Sequence, residues 1–301
     1  MKTYKISSIF IGLALAIILL VVSACSAPGT TGSSNSSSLT VMQVLQNSAK
    51  AMQNLKSVHF NTTTKASFQG SSSSSASSPG AITVNLKATG DQQSPNEQAQ
   101  ISLNNMMNIA EVVTADKVYV QNTQGKWYVL NKSDLKGQSG DLLNGSNLFN
   151  MNTLMSILEQ VKLTDHGDQM LNGQSLRHIT ATLDKNALQQ ILTTNSQLSN
   201  AIGKQNIDKI LNSTRSFNST LDLWIDETHF YVHRTELKVN ANADLSSLAT
   251  PDTQNGVKLP SNATITLDTI VDLSNFNTPV TITPPANATP TNNPGVIFGM
   301  D

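Results

Sequence analysis

Apolar and polar positions along this chain recur with two periods, and the switches between them mark the elements. From Thr40, placed as a helix N-cap, apolar residues return at helical spacing at Val41, Val44, Leu45, Met52 and Leu55. The period then drops to two. Val58, Phe60, Thr62, Thr64, Ala66 and Phe68 alternate with His59, Asn61, Thr63 and Lys65. Ile82, Val84, Leu86 and Ala88 alternate with Thr83, Asn85 and Lys87. Further strands are predicted over 98–103, 109–114, 117–122 and 126–130. Short polar turns join the last three into an antiparallel meander.

The middle of the chain is predicted to be helical. Met155, Leu158 and Val161 mark one stripe. After a strand over 176–183, Asp184 caps a second helix with Ala187, Leu188 and Ile191 on one face, and Ile207, Ile210 and Leu211 mark a third. Period two then returns in "STLDLWIDETHFYVHRTELKVNANA" and "NATITLDTIVDLSNF", and "VTITPP" reads as a final edge strand closed by proline. The pattern therefore predicts an α+β fold: one large antiparallel sheet with amphipathic helices inserted between its strands, forming a single domain over 40–285. Two low-complexity stretches flank or interrupt it, a Ser/Gly tether over 26–39 and the serine loop "GSSSSSASSPG" over 70–80. A disordered tail is expected over 286–301, apart from an apolar tip at 296–298.

The N-terminus changes the picture. Lys2 and Lys5 precede an apolar run over 6–22, the layout of a secretory signal, so residues 1–24 read as a signal peptide. The alternative is a membrane-spanning anchor that stays attached, since the run is at the short end of what crosses a bilayer. "VSAC" resembles the bacterial lipobox, in which the cysteine is acylated and becomes the first mature residue. Cys25 is the only cysteine in the chain, so it has no disulfide partner, and acylation accounts for it. Residues 25–39 then form a lipidated cysteine with its tether. Its acyl chains, palmitate among them, hold the protein on the extracytoplasmic side of the cell membrane. Charged residues are only 13% of the chain and its net charge is −1. No basic stripe is visible, so nucleic acid is not an expected partner.

Catalysis is not predicted. G-x-S-x-G and H-E-x-x-H are absent, and no glycine-rich phosphate loop occurs. His229 and His233 are four apart, but "DETH" reads as a bend, which separates them. Asp222, Asp226 and Glu227 read as solvated carboxylates of a strand face and a turn. No metal or cofactor is expected. Geometry remains. A wide sheet covered thinly by short helices can leave an apolar space that acyl chains fill. Each CH₂ taken from water gains about 0.8 kcal/mol, so an equally apolar space makes lipid extraction from a bilayer nearly neutral. The other reading is that Leu45, Met52, Met155, Leu158, Leu188, Ile191 and Leu211 fill a closed core.

Several stretches carry a resemblance. "LQNSAKAMQNLKSVHFNTTTKASF", "GKWYVL", "LDLWIDETHFYVHRTELKV" and "LSNFNTPVTITPP" resemble, in this order, segments of the LppX/LprG-type mycobacterial lipoproteins. With the lipobox, the resemblance runs from Cys25 to Pro285. It implies a half-barrel like that of the LolA and LolB carriers, a strongly curved antiparallel sheet with helices across its concave face. It implies the binding of lipid or glycolipid acyl chains in the covered cavity and their carriage across the cell envelope, with a membrane transporter as a further partner. The residues expected to line that cavity are Leu45, Met52, Leu55, Met155, Leu158, Leu188, Ile191 and Leu211 from the helices and their flanks. Phe60, Phe68, Val84, Leu86, Leu223 and Ile265 are expected from the sheet. The alternative is a regulatory or scaffolding envelope lipoprotein, akin to a stress sensor, with a filled core. Two departures stand out. The serine loop is long, and Asn277 stands where a glycine is usual before "TPV".

Overall fold

A computed structural model of the chain describes residues 39–71, 82–135, 151–194, 204–246 and 261–292. The signal segment, Cys25, most of the tether, residues 72–80 of the serine loop and the apolar tip lie outside the described residues. Helix α1 (Val41–Gln53) begins as its sequence predicts. The Gln43 backbone N–H donates to Thr40 Oγ1 at 3.2 Å, and Gln43 Oε1 accepts from the Thr40 backbone N–H at 2.9 Å, a reciprocal cap. One face of the helix buries Val44, Leu45, Ser48, Ala49 and Met52.

The strands follow the period-two segments. They are β1 (Ser57–Ser71), β2 (Ile82–Gln93), β3 (Asn96–Leu103), β4 (Met107–Val113), β5 (Lys117–Gln121) and β6 (Trp127–Asn131). After α2 (Met151–Leu158) come β7 (Lys162–Leu171) and β8 (Gln174–Leu183), then α3 (Lys185–Thr194) and α4 (Lys204–Ser213). The chain finishes with β9 (Thr214–Ile225), β10 (Val232–Ala243), β11 (Asn262–Ser274) and the two-residue β12 (Thr289–Pro290). Together they form one twelve-stranded open sheet in the order β12-β6-β5-β4-β3-β2-β1-β11-β10-β9-β8-β7. Every pairing is antiparallel except β12 with β6. Two meanders are thus joined at one seam, where β1 pairs with β11 from His59↔Ser274 to Ser71↔Asn262.

Register decides which side chains share a face, because directly opposed residues point the same way. One row runs Leu223, Thr235, Val271, Thr62, Ala88, Ile101 across β9, β10, β11, β1, β2 and β3. This is the inner face, and helices cover part of it. Val44, Leu45 and Met52 of α1, Ile157 and Leu158 of α2, and Ala187 and Ile191 of α3 pack on Ile179, Ala181, Leu221, Leu223 and Ile225. Asp184 caps α3 by accepting from the Ala187 N–H at 2.7 Å. At Gly90 the inner face has no room for a side chain. A Cβ there would lie 2.7 Å from the tip of the Phe60 ring and 2.1 Å from the Gln98 carbonyl oxygen.

Three expectations need correction. Strand β7 has no counterpart in the periodic pattern, and α2 ends at Leu158 although the apolar stripe runs on to Val161. β7 is a sheet edge and almost wholly exposed, with a register irregularity between Asp165 and Asp168 and Gly167 at φ +67°, so nothing imposes alternation on it. The "VTITPP" segment is not a strand. β11 already has β1 on one side and β10 on the other, so the chain leaves the sheet there, and the Val280 N–H donates to the Gln93 side chain at 2.8 Å. The outer edge is made instead by Thr289–Pro290, inside the tail expected to be disordered. Asn277 also explains its departure from glycine. It adopts φ +57°, and its side chain accepts from the Lys56 N–H at 2.9 Å while donating to the Tyr231 hydroxyl at 2.7 Å. Asparagine tolerates this backbone conformation and adds a clamp that glycine lacks.

Replacing Gly90 with valine should lower unfolding free energy by several kcal/mol, since either Phe60 or the β2–β3 pairing must move. Urea denaturation checks this, and a loss below about 1 kcal/mol would contradict the close approach.

Candidate functional site

Of the fourteen positions expected to line a cavity, twelve are buried, and Met155 and Ile265 are half-buried. They do not converge on one point. Leu45, Met52, Leu55, Leu158, Ile191 and Leu223 lie in the helix–sheet core, with Met155 against it. Phe60, Val84 and Leu86 pack together across β1 and β2. Leu188 and Leu211 meet between α3 and α4. Phe68 packs with Ala243, Leu245 and Ala263 at the far end of the seam, with Ile265 beside them. Each of these groups is already packed against its own neighbours.

At the borders of these groups the cover is incomplete: Leu237 packs against the helix–sheet core, Val239 against Leu188, Ile207 and Leu211, and Ala66, Ile101 and Met107 against the Phe60 group, yet none of the five is fully buried. Leu237 and Val239 of β10, Leu267 of β11, Ala66 of β1, Ile101 of β3 and Met107 of β4 all point to the inner face, and all are only half-buried. Val239, Leu267 and Ala66 form one continuous row. That row crosses three adjacent strands and spans roughly 10 Å, and Leu237 lies one row, roughly 6.6 Å, along β10 from it, which makes the four a short, partly covered strip. The alternation had placed Ala66 and Leu267 on a sheet face. Where helix cover ends is a tertiary fact, which the alternation does not carry.

Polar groups interrupt the apolar wall. Thr64 and Thr269 exchange a hydrogen bond at 3.1 Å across the β1–β11 seam. The hydroxyls of Ser48, Thr62 and Ser219 are fully enclosed and have no hydrogen-bond partner. Two glutamates share this face. In the β3–β4 register Glu97 opposes Val113 and Glu111 opposes Ala99, so the carboxyls are diagonal neighbours over Val113, Val118, Val120 and Leu130. Glu111 is 6% exposed. Glu97 is half-buried. Burial pushes the Glu97 carboxyl up to about 8, against the attraction of Lys132. Burial and the neighbouring Glu97 push Glu111 well above the usual carboxylate range, again opposed by Lys132. Burial lowers Lys132 in turn, and the two glutamates oppose that.

At one end of the face Arg177 ties three segments together. It pairs with Asp165 at 2.7 Å and Glu227 at 2.6 Å, and donates to the Leu39 carbonyl at 3.1 Å, pinning the start of α1 to the β9–β10 turn. The hydrogen bond from Arg177 holds the Asp165 carboxyl below its ordinary range. Glu227 is therefore an ion-pair partner and not a solvated turn carboxylate. Asp222 is also buried, accepting from Thr180 and meeting His178 Nε2 at 2.9 Å on the outer face. The segment around His229 is a turn, as its sequence predicts: Asp226 accepts from the Thr228 N–H at 2.7 Å and contacts His229 Nδ1 at 2.8 Å. His233 lies edge-on to Phe276.

No helix among the described residues is long and apolar enough to cross a membrane. The broad sheet with helices over one face goes with a family match that makes this a lipoprotein of the lipid-binding type. The LppX_LprAFG lipoprotein family model matches residues 41–282, and the chain belongs to that family. Among solved structures, the lipoprotein LppX of Mycobacterium tuberculosis is 16% identical, with 80% of this chain and 97% of that one covered and a TM-score of 0.46. LprF of Mycobacterium bovis is 19% identical, covering 81% and 96%, with a TM-score of 0.37. A putative outer membrane lipoprotein-sorting protein domain from Vibrio parahaemolyticus is 11% identical, covering 80% and 93%, with a TM-score of 0.23. The family match, and not these distant likenesses, carries the assignment. No curated protein matches the chain.

Two outcomes follow from the site. Glu97 binds its proton more tightly folded, at about 8, than at its ordinary 4.5. The folded state thus holds more protons than the unfolded one across that window, so stability should fall as pH rises from about 4.5 to about 8. Thermal unfolding at several pH values checks this, and Glu97→Gln should flatten the slope. Separately, Leu158→Ala should cost about 2–5 kcal/mol, whereas Leu267→Ala in the strip should cost about 1 kcal/mol or less. Equal losses would mean that the strip is as tightly packed as the core.

Proposed function

We propose that the protein binds lipid or glycolipid acyl chains along the inner face of the sheet and carries them across the cell envelope while tethered through an acylated Cys25. The observation that carries this reading is the half-buried apolar row of Val239, Leu267 and Ala66, with Leu237 beside it, at the borders of the packed groups. An acyl chain laid there removes from water surface that the helices leave wet, at about 25 cal/mol per Å². Membership of a lipoprotein family supports the anchor, and the short tether places the domain near the bilayer that supplies its ligand. No step in this job needs catalysis, so the protein is read as a binding protein and not an enzyme. A membrane transporter that loads or unloads it is a natural partner.

Native mass spectrometry of the full chain released from membranes with mild detergent tests the reading. Lipid should co-purify with the unmodified chain, and Leu267→Trp, which fills the strip, should remove it with little loss of stability. Retention of lipid by Leu267→Trp would move the binding site elsewhere. Lipid-free protein with a fully stable core would favour the scaffolding alternative. Cys25→Ser should shift the protein from the membrane fraction to the soluble fraction and abolish metabolic labelling by palmitate.

A further inference from the structure

One end of the sheet carries an aromatic rim that the acyl-chain site does not use. There β9 and β11 end while β10 and β1 begin. The Tyr231 ring stacks on Phe276 at 4.7 Å and on His229 at 5.7 Å, and His233 meets Phe276 edge-on at 4.9 Å. Phe230, Tyr231 and Phe276 pack on the helix–sheet core yet stay only half-buried. Phe230 is also held against its backbone preference. Among the described residues six non-glycine positions have positive φ; five are asparagine and the sixth is Phe230, at +61°. Asparagine or glycine would close this turn with less strain, so the strain serves to place a large apolar ring there. The carboxyls of the turn are taken up, Glu227 by Arg177 at 2.6 Å and Asp226 by His229 at 2.8 Å. Lys56 is exposed and makes no ion pair among the described residues. It belongs to the rim, because Asn277 accepts from its backbone N–H and donates to the Tyr231 hydroxyl.

We propose that this rim docks on the surface of an anionic bilayer, with Phe230, Tyr231 and Phe276 among the head groups and Lys56 against their phosphates. The inference rests on the acylated tether and not on lipid carriage. The place where the chain leaves the domain selects a bilayer as the occupant. Arg177 donates to the Leu39 carbonyl while it pairs with Glu227, so the tether starts at the rim's own end of the sheet. Cys25 to Ser38 is fourteen residues. A Ser/Gly-rich coil of that length has a root-mean-square span of about 20 Å. β9 and β10, twelve residues each, put the opposite end of the sheet roughly 40 Å further off. An acylated Cys25 therefore keeps a bilayer beside the rim and away from the opposite end. Rings with an apolar body and a polar edge, such as Tyr231 and His229, suit the head-group layer. A lysine beside them adds attraction to anionic lipid. The pairing of Asp226 and Glu227 lessens the repulsion that two free carboxylates would bring to the same surface.

The test uses the full acylated chain, reconstituted in vesicles of equimolar dioleoyl phosphatidylcholine and dioleoyl phosphatidylglycerol. A thiol-reactive dye is attached through Thr228→Cys in the rim or, as the control, through Thr123→Cys at the opposite end; both positions are exposed. Brominated lipids should quench the dye at position 228 and leave the dye at position 123 bright. Lys56→Ala should lower the ratio of docked to free domain about fivefold, the effect of one lysine at an anionic surface. That effect should vanish in phosphatidylcholine alone. Because Lys56 is exposed, this variant reads docking without disturbing the fold. Phe230→Asn, which suits the backbone of the turn, should reduce quenching in both kinds of vesicle. Quenching at position 228 that neither substitution reduces, or equal quenching at both positions, overturns the rim as the docking surface. A dye at position 228 that stays bright in vesicles but is shielded in native membranes assigns the rim to a membrane protein and overturns the bilayer. A dye bright in both, on a chain that floats with the vesicles, overturns docking and leaves the anchor in place. A chain that does not float with the vesicles overturns the acylated tether and this inference with it.

Discussion

The pairing of β1 with β11 is the constraint on which the rest of the molecule depends. It joins residues near the two ends of the domain through a long, unbroken antiparallel register, and among the described strands it is the one pairing that joins the two meanders. Everything on the inner face takes its position from it. Phe60 lies beside Leu273, Thr64 beside Thr269 and Ala66 beside Leu267 because of that register, and a slip by one residue would send each set to the opposite face. The sheet's two flanks also meet their cover differently because of it. The β7–β11 flank lies under α1, α2 and α3, while the β2–β6 flank packs chiefly on its own inward side chains.

That asymmetry accounts for the half-wet strip. Helices of eight to thirteen residues are about 12–20 Å long, too short to span a twelve-stranded sheet. Their apolar faces are used mostly on β8, β9 and the near edge of β10, and the inner-face residues at the border, Leu237, Val239, Leu267 and Ala66, are apolar but only partly covered. A molecule needing stability alone would fill that gap or make it polar. This one keeps it apolar and then sets carboxyls and unsatisfied hydroxyls into its surroundings, each of which weakens the unliganded fold. Such local sacrifices are characteristic of binding surfaces, because the missing partner restores what the protein lacks.

Much of the fold was legible in the sequence, and for identifiable reasons. Phe60 to Phe68 alternate because one face of β1 is buried and the other is wet; Thr40 and Asp184 cap helices because their side chains satisfy free N–H groups. Where a segment has no buried face, the signal vanishes. β7 is exposed along nearly its whole length, so its polar sequence gives no period. The "VTITPP" segment misled for the opposite reason: it alternates well, yet the neighbours it would need are already taken. The candidate site was legible only in part. Twelve of the fourteen expected lining residues are buried, but period and burial alone do not separate a packed core from a partly covered border. Glu97 and Glu111 escaped notice because a charge within a strand reads as solvent-facing. Their inward direction appears only once the β3–β4 register is known.

The sheet order has a consequence for how the molecule comes into being. β1 ends at Ser71, while its partner β11 begins at Asn262. The first meander can zip up locally, yet its inner edge stays bare until β11, from the far end of the domain, has been brought to it. Such distant pairing folds slowly. During that interval the exposed β1 backbone is a template for any passing extended chain. The threonines and serines along β1, and Lys65 on its outward side, leave that temporary edge polar enough to remain soluble while it waits.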